Sequence, residues 1–511
     1  MKWTIQDIAG EKTPLFIGGN PQWPGSKSYL DSFNPSTGKV WYQAADAGPE
    51  DVDLAVNAAK RALANPAWCD LTQSNRGALL FRLAELISQN IERLAQIETE
   101  DNGKLIREMR AQLTYLPQYY RYFAGMADKV QGEVIPINKP QTLNFTLREP
   151  IGVVGIIVPW NSPLYMMSCT VAPCLAIGNA VVIKPSEHTS ASALAFAELV
   201  KEAGFPDGVF NVVTGYGHTT GYALTRHPGI AKIAFTGGTA TGRKVAVNAG
   251  ERLIPCNLEL GGKSPHVVFA DADLDRAVNG VIAGIFAAAG QTCIAGSRCF
   301  IQAEIYDEVI DRLKARTEAI KIGPPRDQAT QLGPLALKAQ LEKVSHYVAC
   351  GMEEGAKLVT GGKPPVQRGL GDGWYFEPTI FANVNNDMKI AREEIFGPVA
   401  GVLRFSDEDE LIRLANDTPY GLASGIWTKD IDRALRFAHR IEAGTVWINT
   451  YRSPSMMSPA GGFKESGYGK HNGFEAIREY SRVKSVIIDH SGTSQDPFVM
   501  RFGDSKDETS K

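Results

Sequence analysis

The sequence predicts an α/β fold with parallel sheets covered by helices on both faces. Two observations carry the prediction. From 151 to 262, uninterrupted apolar runs at 151–158, 180–183, 210–213 and 230–235 alternate with helix-like stretches, such as 190–203 and 240–249. From 263 to 460 the alternation returns, with helices at 274–289, 305–320, 336–354 and 407–416. Strands that are apolar throughout lie in sheets buried on both sides, and the intervening helices are their crossovers. Such sheets bind ligands beyond the carboxyl ends of their strands.

The rest of the chain surrounds these two units. Residues 1–50 read as short strands and turns, because Gly18-Gly19-Asn20 and Asn34-Pro35-Ser36-Thr37-Gly38 supply turn geometry. Three helices follow, at 49–63, 75–100 and 106–127, the last interrupted at Pro117. Leu79, Leu80, Leu83, Leu86 and Ile87 recur at helical spacing and should face a core. Residues 134–147 turn strand-like. Residues 491–511 read as a polar, flexible tail with a more apolar piece at 497–502.

Composition narrows the function. With 511 residues the chain is too long for one core. Its 44% hydrophobic and 21% charged content is ordinary for a globular protein, and a net charge of −3 suggests no nucleic-acid or anionic-membrane partner. No apolar run approaches a membrane span, and the first residues lack a signal-peptide core. Seven scattered cysteines, with no Cys-x-x-Cys pair, suit a reducing compartment, so a cytoplasmic protein is expected. The eight histidines lie apart and predict no metal site.

Four stretches concentrate chemistry. Gly290-Gln291-Thr292-Cys293-Ile294-Ala295-Gly296 holds one thiol among small residues, where a substrate can come close. Leu258-Glu259-Leu260-Gly261-Gly262 sets a carboxylate between leucines. Pro159-Trp160-Asn161-Ser162-Pro163 ends an apolar strand, and Glu393-Glu394-Ile395-Phe396-Gly397-Pro398 is the fourth. A thiol and a carboxylate in apolar settings suggest a nucleophile and a general base. Taken singly, Cys293 also reads as a packing residue and Glu259 as a turn residue. Two glycine-rich turns follow strands: Gly215-Tyr216-Gly217-His218-Thr219-Thr220-Gly221, one residue longer than G-x-G-x-x-G, and Thr236-Gly237-Gly238-Thr239 at a helix start that can hold phosphate.

Together, in this order, these motifs closely resemble the NAD(P)-dependent aldehyde dehydrogenases from about residue 15 to about residue 490. The resemblance implies a Rossmann-type NAD-binding domain (1–130 and 151–262), an α/β catalytic domain (263–462) and an oligomerisation arm (131–150 and 478–490) making a homodimer or homotetramer. It implies oxidation of an aldehyde to a carboxylate. Cys293 is the nucleophile that forms a thiohemiacetal and then a thioester, and Glu259 activates the hydrolytic water. The Asn161 amide and the Cys293 N–H receive the oxyanion. Because a free thiol is mostly protonated at neutral pH, surroundings that favour the thiolate are expected at Cys293.

The same resemblance implies the cofactor residues. Lys184 and Glu187 match positions that hold the adenosine ribose, Gly237 and Gly238 the pyrophosphate segment, and Glu394 and Phe396 the nicotinamide side. Trp160, Gly217, Phe235, Leu260, Gln340 and Lys343 are further expected contacts. A carboxylate at 187 would repel a 2′-phosphate, so NAD is expected over NADP.

The substrate pocket is expected from Ser162, Tyr165, Cys169, Thr292, Ile294, Tyr451, Arg452 and Ala460. Ser162 and Ala460 stand where the family commonly has rings, which implies a wide pocket. Arg452 can pair with a substrate carboxylate or point to solvent or to a neighbouring subunit; the first alternative favours a semialdehyde. The chain departs from the family at Thr170, commonly Lys, and His471, often Glu, so the usual proton relay to the base is altered. Rival readings are a CoA-acylating relative, against which Glu259 argues, a cysteine hydrolase, and a non-catalytic structural protein of this fold.

Overall fold

In the strand Val153–Ile157 alternate residues serve two different cores: Val154 and Ile156 enter one apolar cluster, and Val153 enters another. The neighbouring strand Ala180–Lys184 repeats this, with Val181 and Ile183 on one face and Ala180 and Val182 on the other. Period-two side-chain alternation makes each apolar strand the shared wall of two cores. The computed structural model describes residues 3–366, 369–494 and 497–498. The expected tail at 491–511, with its apolar piece at 497–502, lies mostly outside them.

Five parallel strands centre an eight-stranded sheet: Cys256–Glu259, Lys232–Thr236, Val153–Ile157, Ala180–Lys184 and Phe210–Val212. Antiparallel strands finish both edges, Leu15–Ile17 and Asn20–Gln22 on one side and Gly467–Tyr468 on the other. The helices Pro163–Ile177 and Ala191–Glu202 bury one face, together with helices from the first 130 residues. Pro49–Ala64 and Thr239–Glu251 lie on the other.

A seven-stranded sheet runs Lys357–Thr360, Thr379–Ala382, Val399–Phe405, Arg298–Gln302, Pro265–Val268, Ala423–Trp427, Thr445–Ile448. It is parallel except at its first strand. A third sheet projects as an antiparallel arm of Ser481–Asp489, Thr142–Pro150 and Val134–Ile135.

Three expected helices differ. The run at 75–100 is two helices, Gln73–Gln89 and Ile91–Asn102, because the Asn90 amide donates to the Leu86 carbonyl at 2.8 Å and competes with the helical ladder. Pro117 does not interrupt Ile106–Met126; Leu113, Leu116, Tyr119 and Tyr120 are buried around it and hold the helix together. The helix expected to reach 289 stops at Phe286. Ala287 has ψ 142°, and Ala288 and Ala289 are left-handed at φ 55° and 52°.

Candidate functional site

The carboxyl ends of the first sheet bring the expected cofactor residues together. In the ladder Phe235 pairs with Ile157, Ile157 with Lys184, and Thr236 with Glu259, so the loops after these strands open on one edge. Lys184 Nζ donates to Glu187 Oε2 at 2.9 Å. Burial lowers the Lys184 ammonium. Burial also works against the Glu187 charge, but the ammonium and hydrogen bonds outweigh it and hold the carboxyl below its usual range.

Gly238 caps the thirteen-residue helix Thr239–Glu251 with no side-chain hydrogen bond, and a Cβ there would meet nothing within 4 Å. The helix start is open to a ligand, and its N–H groups suit a phosphate. At Gly237 a Cβ would lie 2.6 Å from the Phe235 ring, and at Gly242 a Cβ would lie 2.4 Å from Leu260, so these glycines let the helix sit close on the strands. Gly217 begins a π-helical turn, Gly217–Gly221, followed by the helix Tyr222–Arg226.

The second sheet faces this edge with Glu394 and Phe396. Gly262 N donates to Glu394 Oε1 at 2.9 Å, and a Cβ on Gly261 would lie 2.5 Å from Glu394 Oε2. A Cβ on Gly262 would lie 2.4 Å from the Cys293 carbonyl oxygen. The two glycines therefore let Glu394 and the Cys293 turn approach the same backbone. Trp160 packs edge-on against Phe396 with ring centres 5.3 Å apart. Gln340 Nε2 donates to the Ile395 and Phe396 carbonyls, both at 2.8 Å, which braces Phe396 at φ 59°. Lys343 lies over the Tyr347 ring, and burial lowers its ammonium.

Cys293 lies on an irregular turn after the left-handed Ala288-Ala289-Gly290. Each left-handed alanine costs about 1 kcal/mol or more, so other contacts must hold this backbone. Glu108 Oε1 accepts from Ala288 N at 3.0 Å, Asn161 Nδ2 donates to the Gln291 carbonyl at 2.9 Å, and Gln291 Oε1 accepts from Ala336 N at 2.9 Å. Part of the Asn161 amide is thus engaged in bracing the turn.

The expected thiolate-favouring surroundings are not found. Burial, then the charges of Glu394 and Glu259, push the Cys293 thiol up to about 12. Burial and the two carboxylate charges both disfavour a thiolate there. Burial also pushes Glu259 up to about 8, with Glu479 adding to the rise and Lys470 opposing it. Glu259 Oε1 has no hydrogen-bond partner among the described residues, and His471 Nε2 lies 3.9 Å away. Thr170 is buried.

The expected pocket residues divide. Ser162, buried at the start of Pro163–Ile177, accepts from Lys104 Nζ at 2.5 Å and from Gln112 Nε2 at 3.5 Å. Burial pulls the Lys104 ammonium down to about 8. Tyr165, Thr292 and Ile294 are half-buried beside the thiol or on its turn. Ala460 is half-buried and exchanges backbone hydrogen bonds with His471, both at 2.8 Å. Cys169 is buried in the first core. Tyr451 and Arg452 turn to the protein: the Tyr451 hydroxyl donates to the Ile294 carbonyl at 2.9 Å, and Arg452 Nη1 donates to the Ala283 and Ala287 carbonyls at 3.3 and 3.1 Å. Sequence reasoning missed Lys104, Glu108 and Gln112. No motif marks them; their contacts, of Lys104 and Gln112 with Ser162 and of Glu108 with Ala288, join segments far apart in the chain.

The aldehyde dehydrogenase family model matches residues 23–486. The chain belongs to the aldehyde dehydrogenase family. It is 46% identical over 489 residues to a (Z)-2-((N-methylformamido)methylene)-5-hydroxybutyrolactone dehydrogenase of Acinetobacter baylyi, covering 95% of this chain and 99% of that protein. It is 45% identical over 480 residues to a hydroxyisobutyraldehyde dehydrogenase of Mycolicibacterium austroafricanum, covering 93% and 94%. Its fold is similar to a betaine aldehyde dehydrogenase of Staphylococcus aureus solved with NAD+, with TM-score 0.94, 36% identity, and coverage of 97% and 98%. A Bacillus cereus aldehyde dehydrogenase solved with NAD+ has TM-score 0.93 and 40% identity, with coverage of 95% and 98%. Among the described residues no helix is long and apolar enough to cross a membrane, and no group of three or more His, Cys, Asp or Glu could hold a metal ion.

Proposed function

We propose that this aldehyde dehydrogenase oxidises an aldehyde to the carboxylic acid through a thioester on Cys293, with NAD as cofactor. The observation that carries the reading is that Glu394 and the Cys293 turn close on the same Gly261-Gly262 backbone, two residues beyond Glu259. The Cys293 thiol gives its proton to solvent, and the sulfur adds to the aldehyde carbon to form a thiohemiacetal. The Asn161 amide and the Cys293 N–H are the donors for its oxyanion. When bound, NAD+ accepts the hydride. Loss of that hydrogen leaves a thioester on Cys293. Glu259 then removes a proton from the water that attacks it, the carboxylic acid leaves, and the thiol is restored.

The residues present fit the cofactor. The open helix start at Gly238 suits a pyrophosphate, the Lys184–Glu187 pair suits ribose hydroxyls, and Glu394 held over Gly261-Gly262 suits the nicotinamide side. The two solved relatives named above hold NAD+. The carboxylate of Glu187 supports NAD over NADP. We assign 1–130 and 151–262 to cofactor binding, 263–462 to catalysis, and the arm at 131–150 and 478–490 to a homodimer or homotetramer. A wide substrate pocket follows from Ser162 and Ala460, which stand where the family commonly has rings.

The test is NADH absorbance on mixing protein, NAD+ and a panel of aldehydes. The reading predicts NADH formation that disappears in Cys293→Ala. No NADH with any aldehyde, or undiminished activity in Cys293→Ala, contradicts it.

A further inference from the structure

We propose that Tyr451 and Arg452 are positioning residues that hold the Cys293 turn in its reactive geometry. The proposal rests on the function given above, in which Cys293 is the nucleophile.

The turn is braced ahead of Cys293 by Glu108, Asn161 and Gln291. Past Cys293, Tyr451 takes the Ile294 carbonyl. Arg452 takes two carbonyls at the end of the helix Leu274–Phe286, from which the turn departs. These adjacent residues therefore tie down the entrance and the exit of the strained segment.

The clamp is itself immobilised. The Tyr451 ring stacks on His266 with centres 4.1 Å apart and planes at 14°, and Trp427 Nε1 donates to His266 Nε2 at 2.7 Å. Trp447 packs against Tyr451 at 4.9 Å. A Cβ at Gly425 would lie 2.4 Å from the Tyr451 ring, so the ring has no room to slide that way. Asn449, at φ 54°, exchanges hydrogen bonds with the Thr428 backbone and fixes the start of the 449–452 turn; Arg452 is also left-handed at φ 54°. A left-handed arginine is uncommon and persists where its surroundings demand it. The Cys293 N–H and side chain lie between the two pinned carbonyls of Gln291 and Ile294. Small displacements of a nucleophile cost large factors in rate.

The test compares Tyr451→Phe, Arg452→Met and Arg452→Lys with wild type on matched aldehydes with and without a terminal carboxylate. Single-turnover NADH formation, KM, melting temperature, and the pH profile of Cys293 alkylation by iodoacetamide, read at that residue by mass spectrometry, are recorded. Glu394, Glu259, Lys104, Arg452, Tyr165 and Tyr451 all lie within electrostatic range of the thiol, so these groups shape the profile. The proposal predicts that Tyr451→Phe and Arg452→Met slow the single turnover about tenfold or more for both aldehydes, with KM little changed and the alkylation profile shifted. Arg452→Lys, which still offers N–H donors to the helix carbonyls, should recover most of the loss. A loss confined to the carboxylate aldehyde, an unchanged alkylation profile, or rates that merely follow melting temperature would overturn it. If wild type makes no NADH with any aldehyde, the proposed function fails, and the alkylation profile alone decides whether the clamp positions Cys293.

Discussion

The carboxylate Oε1 of Glu259 and the ring Nε2 of His471 face each other at 3.9 Å, with side chains only 15% and 8% exposed. The gap is too long for a hydrogen bond. Burial acts on both in opposite senses, pushing Glu259 up to about 8 and His471 down to about 4, so each favours its neutral form near pH 7.

This pair sets a pH dependence. Glu259 works as a base only without its proton, and its raised value means that the proton is lost as pH rises through about 8. Thioester hydrolysis should therefore speed up by nearly tenfold per pH unit below that point and level off above it. The check is the rate of acyl-enzyme breakdown across the neutral to alkaline range. A flat profile there counts against Glu259 as the base.

The proposed preference for NAD rests on Glu187. Its carboxylate is ionised but paired with Lys184 at 2.9 Å, which softens repulsion of a 2′-phosphate. A preference for NAD+ of roughly ten- to a hundredfold in kcat/KM is expected, and Glu187→Gln should narrow it. Equal kcat/KM for the two cofactors in wild type would refute the assignment.

The arm predicts assembly. Val134 is 75% exposed and Ile487 64% exposed, and Leu143, Leu147, Val483 and Ile488 are exposed as well. An apolar, projecting three-stranded sheet suits burial against another copy. Light scattering at micromolar concentration should give two or four times the 55.5 kDa chain mass. A mass of one chain would rule this out.

Pocket width is tested at Ala460. Its backbone pairs with His471, so a larger side chain can be added without disturbing that bridge. Ala460→Phe should reduce kcat/KM for branched or ring-bearing aldehydes more than for acetaldehyde. An equal change for both would count against the wide pocket.

Much of this arrangement was legible in the sequence because apolar strands and motif turns are local signals. The strand Val153–Ile157 announces a doubly covered sheet by composition, and Gly237-Gly238 announces a helix start. What was hidden depends on partners distant in the chain. Ala288 and Ala289 read as helix, and only the capture of the Ala288 N–H by Glu108 and the bracing by Asn161 explain their left-handed backbone. Arg452 offered a free charge in sequence, yet its donors meet helix carbonyls that no local pattern foretells. The thiol surroundings were hidden for the same reason, since Glu394 and the Cys293 turn, about a hundred residues apart, both pack on Gly261-Gly262.

The most direct test of the account is the mass of Glu259→Gln after one turnover with NAD+ and an aldehyde. Without its base the enzyme should still form the thioester but fail to hydrolyse it. Intact-protein and peptide mass spectrometry should find the acyl group on Cys293, with one NADH formed per chain. No adduct despite NADH formation, or an adduct on another residue, would contradict the account.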